Sequence, residues 1–169
     1  RKLKELNPDP SARIHVDTNG SILTRDYIDE LVAAGMTDVG PDLKGLYLES
    51  FVRLTGVKDQ DLAERYHTTA WKAVRHLVEK YKDRVFTGVG IPYNRQLISV
   101  LELGMMGEKL FEIDPEIQVC VLDYRPEFKK LDLVRPSYKE MVEVHKVLSG
   151  KGLKTVICQT KRGHLGPEL

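Results

Sequence analysis

The sequence is poor in the residues that build covalent or metal-held frameworks. Among 169 residues there are two cysteines, Cys120 and Cys158, each inside an apolar run. That scarcity argues against a disulfide scaffold and predicts buried thiols in a reducing compartment, the cytoplasm by default. The five histidines are scattered, and His67 and His76, nine positions apart, lack a metal-ligand spacing; no metal site is expected on this chain. No stretch approaches the roughly 18 consecutive apolar residues of a membrane span, and no secretory signal pattern is present. An excess of one charge is also missing. Lys and Arg total 26 against 25 for Asp and Glu, so nothing in the charge balance signals nucleic acid. Nucleophile-elbow, P-loop and HExxH motifs do not occur, nor do internal repeats or low-complexity segments.

What is present is an ordinary globular composition, 41% hydrophobic and 30% charged, in a length sufficient for one domain spanning 1–169 with its own core. Strand and helix signals alternate. Residues 13–16 read as a strand, 24–34 as a helix capped by Thr24 and stopped by Gly35, and 37–39 as a second strand. A helix over 47–54 and a longer helical stretch opening at Asp59 and continuing through Trp71 to Tyr81 make an excursion larger than a simple crossover. Residues 84–92 form a third strand, followed by a helix expected to break near Gly104 or Gly107. Residues 117–122 are the clearest buried strand. Ser137 caps a further helix, 153–158 is the last strand, and 159–169 reads as an irregular tail. The fold class is therefore α/β: parallel strands with crossover helices, arranged as part of an incomplete TIM-like (β/α) barrel.

Chemistry concentrates just past the carboxyl ends of the strands, the edge where parallel sheets bind small molecules. Asp17-Thr18-Asn19-Gly20 follows the first strand, and Asp42-Leu43-Lys44 follows the second. The first segment could be a plain turn and the second a solvated ion pair. Their recurrence at successive strand ends favours a shared ligand site, since a carboxylate, an amide and a hydroxyl can grip a ribose. A zwitterionic amino acid calls for two opposite charges side by side, as in Asp42 and Lys44. Asp123-Tyr124-Arg125 follows the fourth strand, where Arg125 either binds a ligand carboxylate or forms a rim salt bridge. Gly88 and Gly90 either let a ligand approach the third strand or ease packing.

The D-T-N-G turn and the D-x-K segment resemble those of the radical S-adenosylmethionine enzymes, in the branch of the pyruvate formate-lyase activating enzymes. The resemblance runs from about residue 13 to about residue 163, with only these two segments specific. It implies that Asp17, Thr18 and Asn19 lie near the ribose of adenosylmethionine. By the same resemblance Asp42 and Lys44 face its methionyl amine and carboxylate, and Asp123, Tyr124 and Arg125 border the same ligand. In place of Arg125 the activating enzymes often carry a histidine, and an arginine cannot shuttle a proton. The family's 4Fe-4S cluster is held by a C-x3-C-x2-C loop, which this sequence lacks. The chain, beginning Arg1-Lys2-Leu3, accordingly reads as the carboxyl-terminal portion of a longer oxidoreductase whose cluster ligands lie elsewhere, and as inactive alone. The whole enzyme would cleave adenosylmethionine reductively and abstract hydrogen from a protein of the glycyl-radical type or from a small molecule. A barrel lacking its first strands would leave 13–16 as an open edge, prone to self-association.

Two other readings stay open. One is a non-catalytic α/β module that binds a protein or nucleotide. The other is a TIM-like lyase in which Lys44 forms a Schiff base, a role against which neighbouring Asp42 argues.

Overall fold

The computed structural model describes residues 2–7, 9–126 and 132–167. In chain order the elements are α1 (Lys2–Leu6), β1 (His15–Thr18), α2 (Arg25–Ala34), β2 (Asp38–Pro41), α3 (Leu48–Thr55), α4 (Gln60–Tyr81), β3 (Phe86–Tyr93), α5 (Val100–Ile113), β4 (Gln118–Asp123), α6 (Tyr138–Ser149), β5 (Thr155–Thr160) and β6 (Gly163–Leu165). The six strands form one sheet in sequential order. Strands β1 to β5 are parallel and β6 is antiparallel to β5.

Sequential parallel order has a consequence. Each right-handed crossover deposits its helix on the same side, so one face of the sheet is covered and the other is not. Burial alternates accordingly: in β4, Val119 and Val121 are buried while Gln118, Cys120 and Leu122 are partly exposed. The covered face carries the core, where Val89, Ile91, Val119, Val121 and Val156 meet Val74 of α4, Leu103, Met106 and Leu110 of α5, and Met141, Val144 and Leu148 of α6. Such a singly wound, one-sided sheet is an opened segment of a (β/α) barrel, the α/β class read from the sequence.

The caps show why the helices begin and end where they do. The Thr24 side chain accepts from Tyr27 N–H, and Gly35 stops α2 in the left-handed conformation at φ 106°. Ser137 and Glu140 form a reciprocal capping box on α6. Helix α3 has no side-chain cap of its own. Its entry is held from a distance by Glu102 of α5, whose buried carboxylate accepts from Leu46 N–H (2.9 Å), Tyr47 N–H (3.3 Å) and Ser50 Oγ (2.7 Å).

Two elements differ from the sequence reading. Helix α5 runs unbroken through Gly104 and Gly107. A Cβ at Gly107 would lie 2.8 Å from Leu148 Cδ2, so this glycine serves the approach of α6. Residues 159–169 are also not wholly irregular: β5 continues to Thr160, and β6 returns after a tight turn in which Thr160 Oγ1 accepts from Arg162 N–H and donates to the Gly163 carbonyl. A three-residue strand with two exposed residues, one of them a glycine, carries too little apolar pattern to announce itself.

Asp29 ties α2 to α4, accepting from Lys80 Nζ (2.6 Å), His76 Nε2 (2.9 Å) and the Tyr81 hydroxyl (2.7 Å). These donors, Lys80 first, hold its carboxyl well below the usual carboxylate range. Asp38 is lowered as well, chiefly by its pairing with Arg13. A depressed carboxyl stabilises the fold above its unfolded value of about 3.9 and withdraws that stability as pH falls below it. Urea midpoints followed by circular dichroism are expected to fall between about pH 5 and pH 2, with a shallower fall in Asp29→Asn. Parallel acid limbs for the two proteins would remove Asp29 from this account.

Candidate functional site

The uncovered face of the sheet is concave ground for a ligand. In β1, alternation sends His15 and Asp17 to this face and continues to Asn19. In β2 it sends Gly40, and beyond the strand Asp42. The register aligns Asp17 with Gly40, Gly88 with Gln118, and Gly90 with Cys120, while Asp42 bridges to Gly90. The result is a groove of about 540 Å³ whose walls include Asp17, Thr18, Asn19 and Asp42 and whose floor includes Gly40, Gly88 and Gly90, within the range of small-molecule sites.

The glycines are what allow the carboxylates to lie over the sheet. A Cβ at Gly40 would stand 2.6 Å from Asp17 Oδ1, and one at Gly90 would stand 2.5 Å from Asp42 Oδ1. Asp17 Oδ1 also lies 2.8 Å from His15 Nε2, with the aspartate side chain 87% exposed. Asp42 Oδ2 accepts from Lys44 Nζ at 2.7 Å, and the lysine is only 16% exposed. Lys44 therefore stands behind Asp42 rather than on the groove wall. The D-T-N-G turn is locally braced: Thr18 Oγ1 accepts from Gly20 N–H and Asn19 Oδ1 from Ser21 N–H. That bracing leaves the Asn19 amide N–H groups for a ligand.

The third expected segment is not brought into the groove. β4 extends through Asp123, and two-residue alternation turns that side chain to the helix-covered face with Val119 and Val121. Its carboxylate, on a side chain 3% exposed, accepts from Arg135 Nε at 2.7 Å and forms an ion pair with the same guanidinium, Nη2 lying 2.7 Å away. Leu122 takes the groove position. Tyr124 packs against the core and its N–H donates to the Tyr93 carbonyl; Arg125 is exposed.

His15, Gln118 and Cys120 line the groove as well and were missed as site residues. Counting back by twos from Asp17 would have found His15. Burial pushes the Cys120 thiol up, and that of Cys158, on the opposite face, up to about 12, so both are neutral thiols near pH 7. Among the described residues no group of three or more His, Cys, Asp or Glu is placed to hold a metal. No helix among them is long and apolar enough to cross a membrane.

A one-sided, mostly parallel sheet with polar side chains gathered at the carboxyl ends of β1 and β2 defines a partial (β/α)-barrel fold with a polar groove on its open face. A solved structure of a domain of pyruvate-formate lyase-activating enzyme from Bacteroides vulgatus ATCC 8482 has the same fold, with a TM-score of 0.65 over 93% of this chain and 87% of that one, at 14% identity. No protein-family model and no curated protein matches the chain.

Proposed function

We propose that this chain forms part of a radical S-adenosylmethionine enzyme related to the pyruvate formate-lyase activating enzymes, and that its open-face groove holds adenosylmethionine. The observation that carries the reading is the convergence of Asp17, Thr18, Asn19 and Asp42 over a glycine floor at adjoining strand ends. The donor set fits the ligand. Asp17 can accept from ribose hydroxyls beside the Asn19 amide, and Asp42 can accept from an ammonium while Lys44 balances it. The likeness to an activating-enzyme domain supports the same reading at the level of fold.

The described residues do not fit a 4Fe-4S cluster. Cys120 and Cys158 face opposite sides of the sheet and cannot share a cluster. In the full enzyme the cofactor pair supplies hydrogen-abstraction chemistry, toward a glycyl-radical type protein or a small molecule in the cytoplasm. This chain contributes binding, orientation and exclusion of water. Equilibrium dialysis with labelled adenosylmethionine is expected to show one saturable site with a Kd of about 1 mM or tighter. Asp17→Ala combined with Asn19→Ala is expected to weaken it at least about ten-fold, the loss of one charge-assisted hydrogen bond or more. Absence of saturable binding, or binding indifferent to the double substitution, would overturn the assignment.

A further inference from the structure

On the helical side, remote from the groove, three cations converge in one concavity. Lys72 and Arg75 are three residues apart on one face of α4, and Lys109 comes from the opposite wall on α5. Together with His67, Trp71 and Ile113 they line a pocket of about 320 Å³. The nearest acidic partner of Arg75 is Glu79, at 3.7 Å on the exposed face of the same helix. Neither Lys72 nor Lys109 has a carboxylate partner among the described residues. Lys109 Nζ instead sits 4.1 Å from the centroid of the Trp71 ring.

Three cations with only Glu79 beside Arg75 and the Glu112 charge acting on Lys109 leave an excess of positive charge, whose cost a bound anion would recover. Burial, and next the Arg75 charge, hold the Lys109 ammonium below its ordinary range. His67 adds no charge to this count. Burial lowers it too, and its Nε2 is engaged with the Gly45 carbonyl (3.2 Å), which also accepts from the Trp71 indole N–H (3.1 Å). These bonds fix the indole and imidazole as a rigid, partly apolar floor. Above it, donors from two helices face one compact space, and an Arg fork with two ammonium groups matches the oxygens of a phosphoryl group.

We propose that the pocket between α4 and α5 is a binding site for a phosphate-bearing small molecule, with Lys72, Arg75 and Lys109 meeting the phosphoryl oxygens and Trp71 and Ile113 flanking the rest of the ligand. A compact di- or trianion suits three cations in one concavity, whereas an acidic protein segment would spread its carboxylates along the helices.

Trp71 is the single tryptophan of the chain and already carries the Lys109 ammonium on its ring, so it reports directly. Titration with sodium pyrophosphate is expected to change tryptophan fluorescence saturably, and sodium chloride at equal ionic strength is not. The Lys72→Gln/Arg75→Gln variant keeps the Lys109–Trp71 reporter and removes two exposed side chains, leaving the core untouched. Its affinity for pyrophosphate is expected to fall at least about ten-fold. A response matched by chloride, an affinity unchanged in the double variant, or binding of an oligoglutamate peptide without binding of pyrophosphate would each overturn the proposal.

Discussion

Replacing Glu102 by alanine is expected to lower the stability of the fold by about 3 kcal/mol, a large part of the 5–15 kcal/mol that typically separates folded from unfolded chains. The carboxylate is 4% exposed and accepts three hydrogen bonds, from two backbone N–H groups at the entry to α3 and from Ser50 Oγ. Ser50 Oγ accepts in turn from Arg53 Nη2 at 2.9 Å. Removing the acceptor strands Ser50 Oγ in a buried site and the two backbone donors in a partly buried one, and each stranded donor costs about 1–3 kcal/mol unless it finds another partner. The first turn of α3 also loses the negative charge that its N-terminus favours. Glu102→Gln keeps one oxygen for the backbone donors and should cost only about 1 kcal/mol. Urea denaturation of the three proteins measures both differences. An alanine variant as stable as the parent would show that α3 does not depend on this carboxylate.

Glu102 also marks where sequence reasoning stops. The caps at Thr24, Gly35 and Ser137 were readable because donor and acceptor lie within four residues, and local chemistry is decided locally. The cap of α3 is supplied from 55 positions away, and in the sequence Glu102 is one more glutamate on a helix. The glycines of α5 were misread for a related reason. Propensity makes Gly104 and Gly107 helix breakers, but packing against α6 needs Gly107 small, since a Cβ there would stand 2.8 Å from Leu148 Cδ2, while at Gly104 the nearest atoms, of Val147 and Lys151, stand at 3.4 Å. A tertiary contact overrode a local preference in both places.

The candidate groove divides along a different line. The D-T-N-G and D-x-K segments were visible because strand ends could be located from apolar runs, and on both strands the parity of the polar residues happened to favour the open face. At β4 the strand end was set one residue short, at 122. A one-residue difference decides which side of a sheet a side chain faces, so Asp123 went to the covered side, to Arg135. Arg135 itself carries no motif. His15 was readable by alternation, and Gly88 and Gly90 were open to reading as a ligand approach, but Gly40 becomes meaningful only when the register sets it beside Asp17.

That floor carries the prediction that most sharply separates site from scaffold. Gly90→Ala is expected to weaken adenosylmethionine binding at least about ten-fold, the equivalent of one lost charge-assisted interaction, while the protein stays folded. A methyl group at Gly90 would stand 2.5 Å from Asp42 Oδ1 and 3.7 Å from its Cγ. The carboxylate is the free end of a flexible side chain, so it rotates away and leaves the sheet intact. Asp42 N–H still donates to the Thr18 carbonyl, and Leu43 N–H to that of Gly90. What is lost is the position of the Asp42 carboxylate over the floor, where it is offered to the ligand's ammonium, and its 2.7 Å bond to Lys44, which holds it from behind. Gly104→Ala, on α5 and outside the groove, is the matched control. Its added methyl would meet Lys151 Cε and Val147 Cγ1 at 3.4 Å, ordinary contacts that leave Asp42 and the groove in place. Binding by this variant is expected within about three-fold of the parent, a difference of under 1 kcal/mol. Calorimetric titration of parent, Gly90→Ala and Gly104→Ala, with circular dichroism melts to certify folding, decides the matter. Equal affinities in all three folded proteins would take Asp42 out of the ligand site.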